Sequence, residues 1–505
     1  MSYLSDAKNY VTATPERMFW AFALMHLVFW TLAPSLSSPN LPLDAIEGYA
    51  WGKEWLIGTH KHPPLQAWIL ETLYMITGRA RWAPYLASQI AIVTAFWAVW
   101  QTGRRIAGET AALVAVLLLE GIIYYNFTSP EFNPNVLQLP FWALAGWSFH
   151  KAVKDNRLAD WLLLGLWGAL GMYSKYSTGL FLLMLFAAMC AHRDGRRRLK
   201  SPGPYVAMVT GTLLFLPHLS WLVHNDFLPL QYTEGRLERY TDHYSTTLTT
   251  TILVAGQLIA LMFAVLLFIV LYDRRRAPAQ QAAPSFDRIF LIFAAFGPFL
   301  AMFCMSLVFG YHIRDMWETP FWNFLGLWAV VFLRPSLMPH DLRRFALAWI
   351  VVFSVGLVAF VANETLSPYV ALKPKRTIFP GKKLSQTIID TWHGRFHTPL
   401  NYVVGDTWPA GNVAWYADDR PHVFMEGDAA ISPWINLSDL QKSGGVVVWC
   451  IHCGTRAISD DEPDYLKKEF PHNEVQPPLT LKRMTFADVS PVVVGWAIIP
   501  PEAQP

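Results

Sequence analysis

The residues able to do chemistry fall in short clusters between long apolar runs. The first is Asp44-Ala-Ile-Glu47. At helical spacing its two carboxylates share one face. A carboxylate partly shielded from water holds a proton more tightly and becomes a better general base. Asp is also a favoured helix N-cap, so a purely structural role stays open. The second cluster is Lys61-His62-Pro63-Pro64-Leu65. Lys61 and His62 could donate to phosphate oxygens at a lipid surface, or form a basic turn flanking an interfacial helix. Third, Ser174-Lys175-Tyr176 sets a lone ammonium between apolar runs, where a charge needs a partner. That partner is either a ligand or an acid such as Glu47 or Glu131. Arg236 and Arg239 lie in the mixed-charge segment 224–243. They could clamp a phosphate or belong to a solvated loop. His312 and Arg314 could contribute in the same way. Glu131, Asn133 and Asn135 place an acid beside two amides. Amides bond sugar hydroxyls, and they also cap helices. Glu71 and Glu120, inside apolar stretches, are expected to pair with neighbouring helices.

The elements that must carry these groups follow from composition. The chain has 505 residues, of which 53% are hydrophobic and only 15% charged. Soluble domains carry about a quarter charged residues. Mean hydropathy is +0.27. These values exclude a disordered chain, a coiled coil and a disulfide scaffold, and indicate a polytopic membrane protein with some soluble mass. The net charge of +3 provides no strong field for nucleic acid. No phosphate-cradling glycine loop or nucleophile elbow is present, which argues against an ATP-driven pump.

Spanning a bilayer takes about 20 mostly apolar residues. About eleven runs qualify: 17–34, 83–103, 110–127, 136–151, 160–174, 177–192, 204–223, 249–271, 288–309, 319–333 and 345–362. The first lacks a small-residue cleavage site and reads as a signal anchor. Basic clusters alternate between loops. They occur at Lys8 and Arg17, Arg104 and Arg105, Lys151 to Arg157, Arg193 to Lys200, Arg274 to Arg288, and Arg334 to Arg344. By the positive-inside rule those loops and the N-terminus are cytoplasmic, and the C-terminal part lies outside.

The expected architecture is therefore mainly α, a polytopic bundle with a small C-terminal α/β soluble domain. Residues 1–362 form the membrane domain and 363–505 the outer domain. The first outer loop, 35–82, carries two stretches, 44–57 and 63–77, that read as interfacial helices. In the tail, β-like runs are expected at Tyr402–Val404, Val413–Tyr416, His422–Met425, Val446–Ile451, Leu479–Met484 and Val492–Ile499. Cys450 and Cys453 are read as free or simply bridged thiols rather than a zinc site, which needs more ligands. Cys190 and Cys304 read as inert packing residues.

At these residues the chain resembles the polyprenyl-phosphate-sugar-dependent glycosyltransferases of the GT-C membrane fold, specifically family 39 and its bacterial relatives. That branch includes protein O-mannosyltransferases, the lipid A aminoarabinose transferase and lipopolysaccharide-core uronosyltransferases. The resemblance spans roughly 15–330 and rests on DAIEGYAWGKEW, KHPPLQAWI, TGRRIAG and SKYSTGLF. The tail segment GDTWPAGNVAWYADDRP looks like the outer domain of bacterial members. The resemblance implies that Asp44, with Glu47 beside it, is the catalytic carboxylate. Relatives place Glu-Lys before the Pro-Pro, with that Lys near the lipid phosphate; here the two positions are Lys61 and His62. Many relatives also have an Asp near Asn135. The implied donor is a sugar on a polyprenyl phosphate, and the implied acceptor is a glycolipid, glycan or protein. Lys61, His62, Lys175, Arg236 and Arg239 are expected to bind the donor phosphate. Glu131, Asn133, Asn135, His312 and Arg314 are expected to bind substrate. No cofactor is required, and a divalent metal is left open. The competing readings are a polytopic transporter and a non-catalytic envelope assembly protein. A transporter would be expected to show mid-membrane charges and repeated halves, and neither is evident.

Overall fold

The computed structural model describes residues 14–236, 238–240, 242–272, 285–370, 374–454 and 463–502. Lys8, Arg274 to Arg276 and residues 277–284 lie outside those residues. In chain order, α1 (Pro15–Ser37) leads into α2 (Leu43–Lys53) and α3 (Leu65–Thr77). Next come α4 (Trp82–Ala107), α5 (Glu109–Leu119), α6 (Pro134–Asp155), α7 (Leu158–Ser174) and α8 (Thr178–Ala191). The short α9 (Arg193–Arg198) precedes α10 (Gly203–His224), α11 (Leu228–Arg236) and α12 (His243–Leu271). The bundle closes with α13 (Ser285–Phe309), α14 (Leu325–Leu333) and α15 (Pro339–Val370).

Among the described residues, six helices are long and apolar enough to cross a bilayer: α1, α4, α10, α12, α13 and α15. All the apolar runs expected from sequence overlap a helix. Two are shorter than expected. The run 110–127 leaves the helix after Leu119. There Gly121 presses on the α12 backbone, where a Cβ would sit 2.5 Å from the Ala264 nitrogen. The run 319–333 is divided into a 3-10 turn (Asp315–Trp322) containing Pro320, and α14.

Local sequence explains the helix starts that matter for the site. Asn133 caps α6, its side chain accepting from the N–H groups of Asn135 and Val136 at 2.9 and 3.1 Å. Pro134 follows at the first helical position, where its missing N–H costs little. The core is aromatic: Trp30, Trp100 and Trp142 are fully buried, and Phe19 stacks on Trp100 at 4.4 Å. Glu120 pairs as expected. Its carboxylate meets His26 Nδ1 at 2.7 Å and accepts from Trp30 Nε1 at 3.2 Å. Glu71 pairs instead with Arg420, in a turn of the tail, as described below.

The tail forms a five-stranded mixed sheet, ordered β2-β1-β3-β5-β4. The strands are β1 (Tyr402–Gly405), β2 (His422–Met425), β3 (Gly445–His452), β4 (Glu474–Leu481) and β5 (Val492–Ile499). β1 runs parallel to β2 and β3, and β5 is antiparallel to β3 and β4. The flanking helices are α16 (Gly381–Phe396), α17 (Thr407–Tyr416), α18 (Leu437–Ser443) and α19 (Asp464–Glu469). The run Val413–Tyr416, expected as a strand, is the last turn of α17. Pro409 sits in its first turn, and Trp415 stacks on Tyr49 of α2 at 4.2 Å, so tertiary packing favours the helix. Cys450 and Cys453 are joined by a disulfide.

α2 lies between α3 and α17 and is buried from Ala45 to Tyr49 and again at Trp51 and Gly52. Its two glycines allow that approach. A Cβ on Gly52 would stand 2.5 Å from the Ala67 carbonyl oxygen, and one on Gly48 would stand 2.5 Å from Leu70 Cδ1. Small residues four apart let helix backbones come this close.

Candidate active site

Four chain segments converge on Asp44, in the first turn of α2. Glu131, just ahead of the α6 cap, accepts the Asp44 backbone N–H at 3.5 Å. Gln66 of α3 holds the two segments together: its Nε2 donates to the carbonyls of Asp44 and Phe132 at 2.9 and 2.8 Å. Burial, and then the nearby charge of Asp44, push the Glu131 carboxyl up to about 8. At neutral pH Glu131 is therefore protonated.

One turn along α2, Glu47 Oε2 lies 2.7 Å from Lys61 Nζ. Burial raises the Glu47 pKa, and Lys61 opposes that rise. Burial works against the Lys61 charge, but Glu47 and Asp44 outweigh it and keep the ammonium firmly protonated. Lys61 is aimed by a compact turn. The Thr59 hydroxyl accepts from the N–H groups of Lys61 and His62 at 3.3 and 3.0 Å, and donates to the His62 carbonyl at 3.0 Å.

Lys175 approaches from the end of α7. The backbone becomes extended there, ending the helix. Its ammonium donates to Asn135 Oδ1. The expected alternative, an ion pair with Glu47 or Glu131, is not what the described residues form. Burial pulls the Lys175 pKa down to about 7, against the opposing charge of Asp44. The Trp317 ring lies 5.6 Å from the ammonium, bringing the segment after Arg314 to the site.

His62 differs from its sequence expectation in charge. Burial, then Lys61 and Lys175, hold its pKa well below the ordinary histidine value. It can offer one N–H to a phosphate, but no positive charge. Its neighbour His60 is likewise neutral, pulled down to about 4 by burial and Lys61. His60 meets the Tyr232 ring edge-on at 5.7 Å.

Other expected residues lie further from this centre. Arg236 sits over the Tyr232 ring at 5.3 Å, one aromatic ring away from His60. Arg239 donates to the Phe309 carbonyl at 3.2 Å and covers Tyr311 at 5.8 Å. The His312 backbone N–H donates to the Glu238 carbonyl at 2.9 Å. Arg239 and His312 thus belong to a small antiparallel contact between segments 238–240 and 310–312. Arg314 is half-buried at the entry to the 3-10 turn. Asn133 is occupied as the α6 cap. Among the described residues no group of three or more His, Cys, Asp or Glu is disposed to hold a metal ion.

Sequence reading overlooked two residues at the centre, His60 and Gln66, and also Arg376, whose charge lowers Glu131 and Glu47. His60 and Gln66 lie in the already suspect THKHPPLQ segment. Arg376 comes from the tail, where no local pattern singles it out.

Residues 61–221 match the model of the dolichyl-phosphate-mannose-protein mannosyltransferase family. Across most of its length the chain is 24% identical to the lipopolysaccharide core galacturonosyltransferase RgtB of Rhizobium johnstonii, over 467 residues, covering 89% of this chain and 90% of that one. RgtA of the same organism, also a lipopolysaccharide core galacturonosyltransferase, is 22% identical over 444 residues, covering 85% of each. Among solved structures, ArnT from Cupriavidus metallidurans bound to undecaprenyl phosphate superposes with a TM-score of 0.60 at 14% identity, covering 95% of this chain and 97% of that one. The apo form superposes at 0.62 with the same identity and coverage. The fold is thus shared with a GT-C enzyme. The chain is a membrane glycosyltransferase, similar in sequence to these bacterial enzymes and in fold to ArnT.

Proposed function

We propose that the protein moves a sugar from a polyprenyl phosphate to a lipopolysaccharide-core or lipid A acceptor, with Asp44 as catalytic base. The relatives' activities support a hexuronic acid such as galacturonic acid as the sugar. The site opens on the periplasmic face of the inner membrane. The N-terminus is cytoplasmic and about eleven segments span the bilayer. Residues 1–362 then form the membrane domain and 363–505 the periplasmic domain.

In this reading an acceptor hydroxyl gives its proton to the Asp44 carboxylate as its oxygen attacks the anomeric carbon. The new carbon–oxygen bond forms as the bond to the lipid phosphate breaks, inverting the centre. The polyprenyl phosphate leaves with the bonding electrons. Lys61 and Lys175 neutralise the charge gathering on it, the kind of preorganised stabilisation that dominates many enzymes. His62 adds one N–H, and Arg236 lies one ring further out. Glu131, protonated, donates to a sugar or acceptor oxygen. Glu47 is assigned to holding Lys61 in place.

The observation that carries this reading is the meeting of Asp44 and the protonated Glu131 with two lysines from separate loops. The test uses the full chain in lipid nanodiscs, undecaprenyl-phospho-galacturonic acid with a radiolabelled sugar, and purified lipopolysaccharide core. Label is expected to pass to the glycolipid. If donor remains unconsumed with every acceptor offered, the reading is wrong.

A further inference from the structure

A second polar centre lies at the other end of the bundle. α4 and α6 both have their early turns beside Glu131: Ser88 Oγ of α4 donates to the Pro130 carbonyl at 3.3 Å, and α6 starts at Pro134. Sixteen residues of α4 separate Ser88 from Arg104, about 24 Å of helix. The far ends of the two helices enclose a cavity of about 420 Å³, lined by Gln101, Arg104, Arg105, Glu109, Trp147 and Lys151. Sites for organic ligands run to about 300–1,000 Å³, so the cavity is larger than a lone ion needs. Arg105 and Glu109 are exposed at its mouth.

Three cations line this cavity against one acid, Glu109. Aromatic faces hold two of them in place. Arg104 lies 4.7 Å from the Trp100 ring centre, and Lys151 lies 4.6 Å from that of Trp147. Each cation also spends one nitrogen on an acid. Arg104 Nη2 meets Glu109 at 2.8 Å, Arg105 Nη2 meets Asp155 at 2.7 Å, and Lys151 Nζ meets Asp160 at 2.6 Å. Asp155 and Asp160 do not line the cavity. Among the described residues, Nε and Nη1 of both arginines make no hydrogen bond, so donors are left over. The arginine pairs are partly exposed, and such pairs contribute little, so an arriving anion meets weak competition. α5 begins at Glu109 with no side-chain cap, and its first N–H groups add to the positive field.

We propose that this cavity binds the phosphate of an anionic glycerophospholipid in the leaflet opposite Asp44. A guanidinium matches phosphate oxygens with paired hydrogen bonds, and basic pockets between helix ends suit lipid head groups. The surroundings favour a lipid over a soluble phosphate ester. α4 is long and apolar enough to cross a bilayer, and the cavity lies at its end. On α7, either side of the Asp160 that holds Lys151, Leu158 and Leu162 are 52% and 43% exposed and offer an apolar surface to acyl chains. In the topology proposed above this leaflet is the cytoplasmic one. A lipid held there joins the ends of α4, α5 and α6, and so braces two helices whose other ends meet Glu131. Binding there is independent of sugar transfer.

The test titrates the full chain in detergent micelles with phosphatidylglycerol or phosphatidylcholine and counts bound lipid by native mass spectrometry. The wild type should retain phosphatidylglycerol about tenfold more tightly than phosphatidylcholine. The double variant Arg104→Gln/Arg105→Gln should lose most of that preference. Gln101→Glu puts a negative charge into the cavity while leaving all three ion pairs in place, and should lose it too. This single variant decides the matter if the double variant does not fold. Arg157→Gln removes an exposed cation at the same end of the bundle but outside the cavity, and should stay within about twofold of wild type. Glycerol 3-phosphate, which has no acyl chains, should not displace the lipid at equal concentration. No lipid preference in the wild type, an unchanged Gln101→Glu variant, or an equal loss in Arg157→Gln would overturn the site. Displacement by glycerol 3-phosphate would make it a site for soluble phosphate esters and overturn the lipid assignment.

Discussion

Lys61 Nζ lies 2.7 Å from Glu47 Oε2, one turn along the helix from Asp44. The contact divides the roles of two carboxylates that look equivalent in sequence. Glu47 is 6% exposed and committed to Lys61, so it is not free to take a proton from an acceptor. Lys61→Ala should lower single-turnover transfer by about 10²–10³, the usual cost of one preorganised donor at a developing charge. Glu47→Gln keeps a hydrogen-bond acceptor for Lys61 and should cost less, about tenfold. Rapid-quench measurement of both variants checks the order. Equal and complete loss would make Glu47 a participant in the chemistry.

Lys175 gives the site a pH dependence. With its pKa pulled to about 7 by burial, the ammonium is charged below that value and neutral above it. Affinity for a sugar-linked donor, whose phosphodiester keeps one charge throughout, should therefore fall as pH rises from 6 to 8.5. Lys175→Arg replaces the titrating group by one always charged, and its affinity should fall less across that range, the remaining fall coming from Glu131 as it ionises near 8. Fluorescence titration at several pH values reads both curves.

The seat of Asp44 depends on α2 lying close against α3. Gly52→Val places atoms where the Ala67 carbonyl already stands. Overpacking of this kind costs about 1–3 kcal/mol. The variant should unfold at lower temperature and lose activity as Asp44 shifts. Gly394, in α16, has nothing within 4 Å of an added Cβ. Gly394→Ala should be neutral or stabilise by up to about 1 kcal/mol. Differential scanning fluorimetry of the two variants provides the comparison.

The tail is fastened to the first loop by Arg420, whose guanidinium forks onto Glu71 at 2.7 and 3.0 Å and lies 3.6 Å from the Tyr74 ring centre. Glu71 is only 4% exposed. Arg420→Ala strands that carboxylate and should destabilise the contact by about 3–5 kcal/mol. Proteolysis should then cut between α15 and the tail in the variant and spare the wild type. Adding Glu71→Gln should restore much of the protection.

Much of the helical layout was legible because long apolar runs mark where the helices fall. Asp44, Lys61 and Lys175 were legible as residue types out of place among apolar neighbours. The role of α2 was not. Its mixture of acids and aromatics suggests a helix at a lipid interface, whereas Trp415 and the α3 face bury it. Only the tertiary contact distinguishes these environments. Val413–Tyr416 misled for a related reason: four residues of β-like type form a helix because Tyr49 and Trp415 stack. Arg376 carries no local pattern, since the acids on which its charge acts lie hundreds of residues away in the chain.

The central claim is the division of labour between Asp44 and Glu131. Glu131 is protonated below about 8, so Glu131→Gln imitates its working form. The most direct measurement is single-turnover sugar transfer at pH 7 by Asp44→Asn and Glu131→Gln, with undecaprenyl phosphate binding as the folding control. Asp44→Asn should lose about 10²–10⁴ in rate with binding retained, while Glu131→Gln stays within about tenfold of wild type. Near-normal transfer by Asp44→Asn, or collapse of Glu131→Gln with Asp44→Asn active, would contradict the account.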